Sequence, residues 1–412
     1  MRAGFPYLTY LVLAPLGAAL VAAAVPKRLT WAVRATGVIG ATLALGFAVT
    51  VLVLFKTTVA GYQLTAEHAW VRPLGISWSL GVDGISLFLV LLTVVLVPLG
   101  LYGAPERANE KGFIAWMLIL EGGCLGAFLS TDVLVFFAFF ELTLIPVYFL
   151  ITGWGETRRR NEAATKFFIY TFVASAFMLV GIVALVAIHA SQTGVTTFDL
   201  TALTHTHLSG AAGVLLFLAF TAAFVVKAPV FPFHTWSPDA YSESPASGAV
   251  LLGGVMAKLG TYGIIRFDLE LFPHTVVSLA PIFLTLGVVG IVYGGVVAAV
   301  QRNWKRLIAY SSLAHMGFIV LGLFALSNEA VSGAVLQMVN HGVYTAGLFL
   351  LVAFLARRTG TIDVTRISGL QRYAPVLAGF FTLVMLASIG VPGLNGFVGE
   401  FLILTGTFLT HR

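Results

Sequence analysis

The sequence predicts an all-α polytopic membrane protein of about twelve transmembrane helices, and three observations carry that reading. The 412 residues are 59% hydrophobic and only 10% charged, with mean hydropathy +0.97. An ordinary soluble domain carries about 25% charged residues. The apolar residues fall into runs of about 20, the length that crosses a bilayer as a helix. Lysine and arginine concentrate in alternate connections between those runs, as they do in multi-pass membrane proteins.

The runs predict spans at roughly Phe5–Val25, Trp31–Phe55, Trp78–Tyr102, Phe113–Ser130, Val133–Ile151, Ala164–His189, Gly210–Phe233, Pro245–Phe267, Val276–Val300, Leu307–Ala325, Ala330–Ala356 and Ala374–Leu409. Span one ends in Ala22, Ala23 and Ala24, which resemble a leader cleavage site. Its basic residues, Lys27 and Arg28, follow the apolar run, which favours an uncleaved helix with its N-terminus outside. Connections after odd spans hold 16 of the 23 basic residues, among them Arg158, Arg159, Arg160, Arg302, Lys305, Arg357 and Arg358. Connections after even spans hold 3, namely Lys56, Arg72 and Arg266. The asymmetry places the basic connections in the cytoplasm and both termini outside. It also leaves Lys227 and Lys258 inside spans, unexplained by topology.

The stretch Thr221–Ser244, TAAFVVKAPVFPFHTWSPDAYSES, begins as a membrane helix and then meets Lys227, Pro229 and Pro232. Each proline lacks an amide hydrogen and clashes with the carbonyl four residues back, so the helix breaks after the lysine. Broken backbone at membrane depth is tolerated only inside protein or along a wet cavity, and a lysine beside it marks a functional site. The competing reading is a lysine that snorkels to the headgroups from a plain helix end. Span twelve is interrupted similarly at GVPGLNGFVGE, just before Glu400. Two interrupted helices in corresponding positions suggest an inverted repeat. That divides the chain into an N-terminal three-helix segment (1–112), a first repeat (113–267) and a second (268–412).

Several chemistries are excluded. The net charge of +6 is too sparse outside the spans to form a nucleic-acid face. The single cysteine, Cys124, rules out a disulfide framework, a cysteine-rich zinc site or an iron–sulfur motif on this chain. Neither a dinucleotide-binding GxGxxG nor a P-loop occurs in a strand-to-helix context. No metal-ligand spacing or nucleophile elbow is present. What remains within spans is Glu121, Glu141, Lys227, Lys258, His315, His341 and Glu400, with His234 and Glu243 at the edge of the break. Burial disfavours the charged form of such groups and an opposite charge favours it, so carboxylates, lysines and histidines on different helices suit stepwise proton movement. Glu141 and Lys258 could instead be halves of static ion pairs, Glu121 a helix-packing carboxylate, and each histidine a satisfied core residue.

The segments FFAFFELTLIP around Glu141, VVKAPVFPFHTWSPDAY around Lys227, SSLAHMGF around His315, MVNHGVYTAGLF around His341 and GVPGLNGFVGEF around Glu400 together resemble the antiporter-like membrane subunits of respiratory complex I, the NADH-quinone oxidoreductase. The resemblance covers nearly the whole chain. It implies a proton channel of two inverted five-helix repeats. Glu141 and Lys227 would form the pair of the first repeat, Lys258, His315 and His341 the central relay, and Glu400 the terminal site of the second; Glu121 matches a further carboxylate. It implies a subunit of a proton-pumping translocase in a bacterial plasma membrane, with no redox centre on this chain. Flavin, iron–sulfur clusters and quinone would belong to partner subunits, and its contacts would be lipid and other complex I membrane subunits. Family members have about fourteen helices, so the second repeat is expected to be incomplete at Arg412. The alternatives are a subunit of a multi-subunit sodium/proton antiporter, a membrane-bound hydrogenase subunit, or a purely structural subunit.

Overall fold

The computed structural model describes residues 5–26, 28–102 and 109–410. Arg2, Lys27, Arg107 and Arg412, all part of the charge count, lie outside the described residues. Among the described residues, 11 helical segments are long and apolar enough to cross a membrane, and the twelfth expected span is present as two shorter helices. In chain order they are α1 (Tyr7–Ala24), α2 (Thr30–Leu54), strands β1 (Gln63–Val71) and β2 (Ile76–Val82), α3 (Gly84–Tyr102), α4 (Glu110–Leu129), α5 (Val133–Leu142), α6 (Leu144–Trp154), α7 (Arg160–Thr193), α8 (Leu200–Leu203), α9 (Gly210–Lys227) and α10 (Ser237–Glu243). Then follow α11 (Ala246–Leu251), a π segment (Leu252–Met256), α12 (Ala257–Gly263), a second π segment (Ile264–Asp268), α13 (Leu269–Leu271), α14 (Pro273–Ala299), α15 (Trp304–Phe324), α16 (Asn328–Thr359), α17 (Leu370–Tyr373), α18 (Pro375–Ser388) and α19 (Asn395–Leu409). The segment from α11 to α13 is buried by protein along its most apolar stretch and forms the centre of the bundle.

The antiparallel β1–β2 hairpin corrects the expected start of span three at Trp78. Residues 76–82, ISWSLGV, alternate with period two, which suits a strand and not a helix. Asp83 then starts α3, its Oδ1 accepting from the amides of Ile85 (3.1 Å) and Ser86 (2.9 Å). Asp132 ties the hairpin down: Oδ2 accepts from the Ser77 amide at 2.9 Å while Oδ1 caps α5.

Arg266 is the second correction. Counted by sequence with the connection after span eight, at whose predicted end it lies, it is buried within the second π segment, ion-paired with Asp83 and, at 3.0 Å, with Glu270. The rings of Tyr62 and Tyr262 flank its guanidinium. The charge lies inside because two carboxylates and two rings replace its water.

Both proline-rich breaks fall where the sequence put them. Pro229 cannot donate to Val225 O, which instead accepts from the Val230 amide at 2.9 Å. That leaves Val226 O, and the buried indole of Trp236 donates to it at 2.9 Å. The chain then turns back into α10. In span twelve, α18 ends at Ser388, Gly390 and Gly393 take positive φ of 68° and 95°, and α19 restarts at Asn395. Asn340 Nδ2 holds that restart, donating to Asn395 O at 2.7 Å. Small residues bring α14 and α15 together. A Cβ on Gly317 of α15 would lie 2.6 Å from Gly287 O of α14, so only glycine allows that approach.

Candidate functional site

The titratable residues fall into two groups. In the first, Lys227 ends α9 at the break, 1% exposed. Its ammonium donates to Thr143 Oγ1 at 2.9 Å and Phe140 O at 3.1 Å, and lies 4.3 Å from the Phe140 ring centre. Snorkelling to a headgroup is thereby excluded in this structure. Thr143 marks the junction of α5 and α6. Pro146, three residues on, has no amide for Leu142 O, and the turn loosens there. Thr143 Oγ1 donates to Phe140 O at 2.8 Å while accepting from the lysine.

Glu141 projects from the last turn of α5. Its Oε1 is buried with no hydrogen-bond partner. The structure does not join Glu141 and Lys227 in an ion pair, because the ammonium is held by Thr143 and Phe140 O. Glu121, on α4, is completely buried, and neither carboxylate oxygen has a hydrogen-bond partner. At the break's edge, His234 is buried between the rings of Phe231 and Tyr293, with Nδ1 unpartnered. Glu243 accepts a hydrogen bond from Thr157 Oγ1 at 2.6 Å.

In the second group, Lys258 is fully buried on α12, directly after the first π segment. There the Ala257 amide reaches back to Leu252 O, five residues away. Gly253 O instead accepts from Lys258 Nζ at 2.5 Å, and the same nitrogen lies 2.5 Å from His341 Nδ1 on α16. His341 Nε2 is buried and unpartnered. Its ring centre is 5.7 Å from that of His315 on α15, with Tyr344 against both rings at 5.5 and 5.1 Å. His315 Nδ1 in turn lies 3.0 Å from Glu400 Oε1. Gln337 Nε2 donates to both Glu400 Oε1 and the Tyr344 hydroxyl, each at 3.1 Å.

The structure thus brings Lys258, His341, His315 and Glu400 into one line across four helices, buried from Lys258 to His315 and partly exposed at Glu400, with single contacts or one ring-to-ring step between members. Lys227 belongs to a neighbouring group. The two approach where α9 ends: a Cβ on Gly260, two residues after Lys258, would lie 2.6 Å from the Ala228 amide nitrogen. Thr143, Gln337 and Tyr344 were not singled out from sequence. Gln337 and Tyr344 stand four residues before and three after His341, on one face of α16, and that spacing could have marked them. Chemically the line offers three nitrogen bases in succession and a terminal carboxyl, each able to hold one proton.

Residues 130–412 match the family described as NADH:quinone oxidoreductase/Mrp antiporter, TM. The chain is 37% identical over 440 residues to NADH-quinone oxidoreductase subunit M of Mycobacterium tuberculosis, covering 98% of this chain and 79% of that protein. It is 43% identical over 359 residues to the Escherichia coli K12 protein of the same name, covering 84% and 69%. Its fold superposes on a chain of respiratory complex I from Thermus thermophilus with TM-score 0.88 and 34% identity, covering 98% of this chain and 83% of that one.

Proposed function

Because the chain belongs to the NADH:quinone oxidoreductase/Mrp antiporter transmembrane family, we propose that it is a membrane-arm subunit of the subunit M type and conducts protons across the membrane. The observation that supports this best is the line Lys258–His341–His315–Glu400, closed by contacts of 2.5 and 3.0 Å around a ring-to-ring step of 5.7 Å. A proton taken up by Lys258 passes to His341 Nδ1, crosses to His315 by ring reorientation or an intervening water, and reaches Glu400. Gln337 and Tyr344 position the acceptor carboxylate and the two rings. In the first repeat (113–267), Lys227 holds a proton between Thr143 and Phe140 O, and Glu141 modulates its charge from beyond contact distance. Glu121 is a further proton-holding carboxyl of that repeat, and the second repeat (268–412) carries the Glu400 end.

The energy comes from electron transfer between NADH and quinone in partner subunits. This chain supplies the proton path; flavin, iron–sulfur clusters and quinone sit on those partners. We place it in a bacterial plasma membrane, N-terminus outside and basic connections cytoplasmic, beside other complex I membrane subunits. Glu400→Gln tests the reading: the amide keeps the bonds around Glu400 but cannot take a proton. NADH-driven proton uptake into sealed vesicles should fall while the complex still assembles. Wild-type pumping in that variant would remove the relay, and NADH-independent sodium movement would move the chain to the antiporter class.

A further inference from the structure

Asp268, the last residue of the second π segment, lies outside the relay and outside the span predicted from sequence. It is completely buried. Thr221 Oγ1, on α9, donates to Oδ2 at 2.9 Å, and Oδ1 has no partner. Arg266, two residues earlier, is committed to Asp83 and Glu270 and gives Asp268 no counter-charge. An ionised carboxylate in such a place, with one hydrogen bond and no cation, is far costlier than a carboxylic acid. The geometry therefore favours a side chain that carries a proton.

Its surroundings differ on two sides. Toward Lys227, which follows Thr221 by six residues or about 9 Å of helix, stands an aromatic layer. Phe224 and Phe267 stack at 5.8 Å, and Phe220 lies 6.1 Å from Phe267. In the other direction, one turn beyond Asp268, Leu271 and Phe272 form the wall of a cleft of about 600 Å³. His205, His207, His274 and Thr206 also line it, and Thr206 is bonded to His189 at 2.9 Å. Imidazoles and hydroxyls at the mouth of a cleft, with a buried carboxyl that has one unpartnered oxygen a turn behind its Leu271–Phe272 wall, suit proton exchange between bulk solvent and Asp268.

We propose that Asp268, at the junction of the two repeats, is a further proton-binding carboxyl, exchanging its proton with the histidine-lined cleft between α8, α9 and α14, across the aromatic layer from Lys227. The inference rests on the proton-conduction reading above. In the exchange the O–H bond of Asp268 breaks, the proton passes to a cleft imidazole or water, and the carboxylate stays held by the Thr221 hydroxyl; no electrons move. If Asp268 only braces α9 against the π segment, Asn serves equally well, because its carbonyl accepts from Thr221 and its volume is the same.

The test uses the assembled complex. Asp268→Asn is expected to assemble and to lower NADH-driven proton pumping roughly tenfold or more, the scale of a lost proton-transfer group, with Asp268→Glu retaining most of it. Wild-type pumping in Asp268→Asn overturns the proposal. An apolar carbodiimide, which adds to carboxylic acids, is applied in parallel to the unmodified complex, with peptide mapping. Modification at Asp268 is expected; an unmodified Asp268 overturns the proposal, and this arm decides if Asp268→Asn does not assemble. Glu400→Gln is run beside it. Loss of pumping there with none in Asp268→Asn defeats this inference alone, whereas wild-type pumping in Glu400→Gln defeats the relay reading.

Discussion

Lys258 Nζ lies 2.5 Å from His341 Nδ1 and equally close to Gly253 O, five residues back on its own helix. A single nitrogen therefore connects the backbone distortion of the central helix to the first histidine of the relay. Replacing His341 by Gln keeps a hydrogen-bonding side chain at the contact but removes the ring that passes the proton on. Pumping in sealed vesicles should fall on the order of 10²-fold with assembly retained. A smaller loss than that in His315→Gln would place His315, and not His341, at the controlling step.

Thr143→Val takes the hydroxyl from Lys227 and leaves a buried donor with Phe140 O as its one hydrogen-bond acceptor. Leaving a donor unsatisfied costs about 1–3 kcal/mol. We expect the subunit to dissociate from its complex at lower temperature. Thr143→Ser keeps the oxygen and should match the wild type; equal behaviour of the two variants would show that the hydroxyl carries no weight.

Glu141→Gln should be nearly neutral for assembly, since Oε1 has no partner to lose and no ion pair to Lys227 exists to break. Proton pumping should nonetheless fall, because the amide cannot exert or cancel a charge beside Lys227. If the complex fails to assemble with Glu141→Gln yet recovers when Lys227→Met is added, the two residues are a brace and the relay reading of the first repeat fails.

Arg266→Met strips two carboxylates, Asp83 and Glu270, of their cation inside the fold. Breaking one side of a buried ion cluster costs about 3–5 kcal/mol. The variant should be proteolysed in the membrane, and adding Asp83→Asn should restore part of the yield. No rescue would mean that packing against Tyr62 and Tyr262, and not charge, sets the cost.

The orientation is tested with thiol chemistry. Cys124 is buried, so a new cysteine at Arg159, which is exposed, reports alone. It should react with an impermeant reagent in inverted vesicles and not in intact cells.

Spans and breaks were legible because they depend on residue type along the chain: apolar length, and prolines without amides at 229, 232 and 392. The ionisable residues within spans were legible for the same reason. Which of them touch was not, because that depends on helix packing. Lys227 and Glu141 have opposite charges and neighbouring helices, yet Thr143 intervenes through a hydroxyl that pattern reading treats as filler. The hairpin was hidden because ISWSLGV is apolar at every second position and only Asp83 separates it from the apolar start of α3, so the two read as one run. Arg266 and Asp268 sit at the edge of a hydropathy window, where a charge reads as a loop; the ion cluster and π geometry that keep them inside exist only in three dimensions.

The two π segments that flank Lys258 have one more consequence. A π turn winds one residue more than an α turn, so each stores a residue of slack in a helix that is held at Ser247 by its bond to Gly100 O (2.6 Å) and at Asp268, the end of the second segment, by Thr221 (2.9 Å). If one segment tightened as the other loosened, the seven residues of α12 between them would rotate by about 100°, one residue's share of a turn. Lys258 would swing off His341 while the helix kept its length and both anchors. The central span is then a shaft between two bearings, and a proton can be switched at its middle with neither end moving. A second state with Lys258 away from His341 but Asp268 still on Thr221 is its signature; structures across protonation states that never show it would count against the rotation.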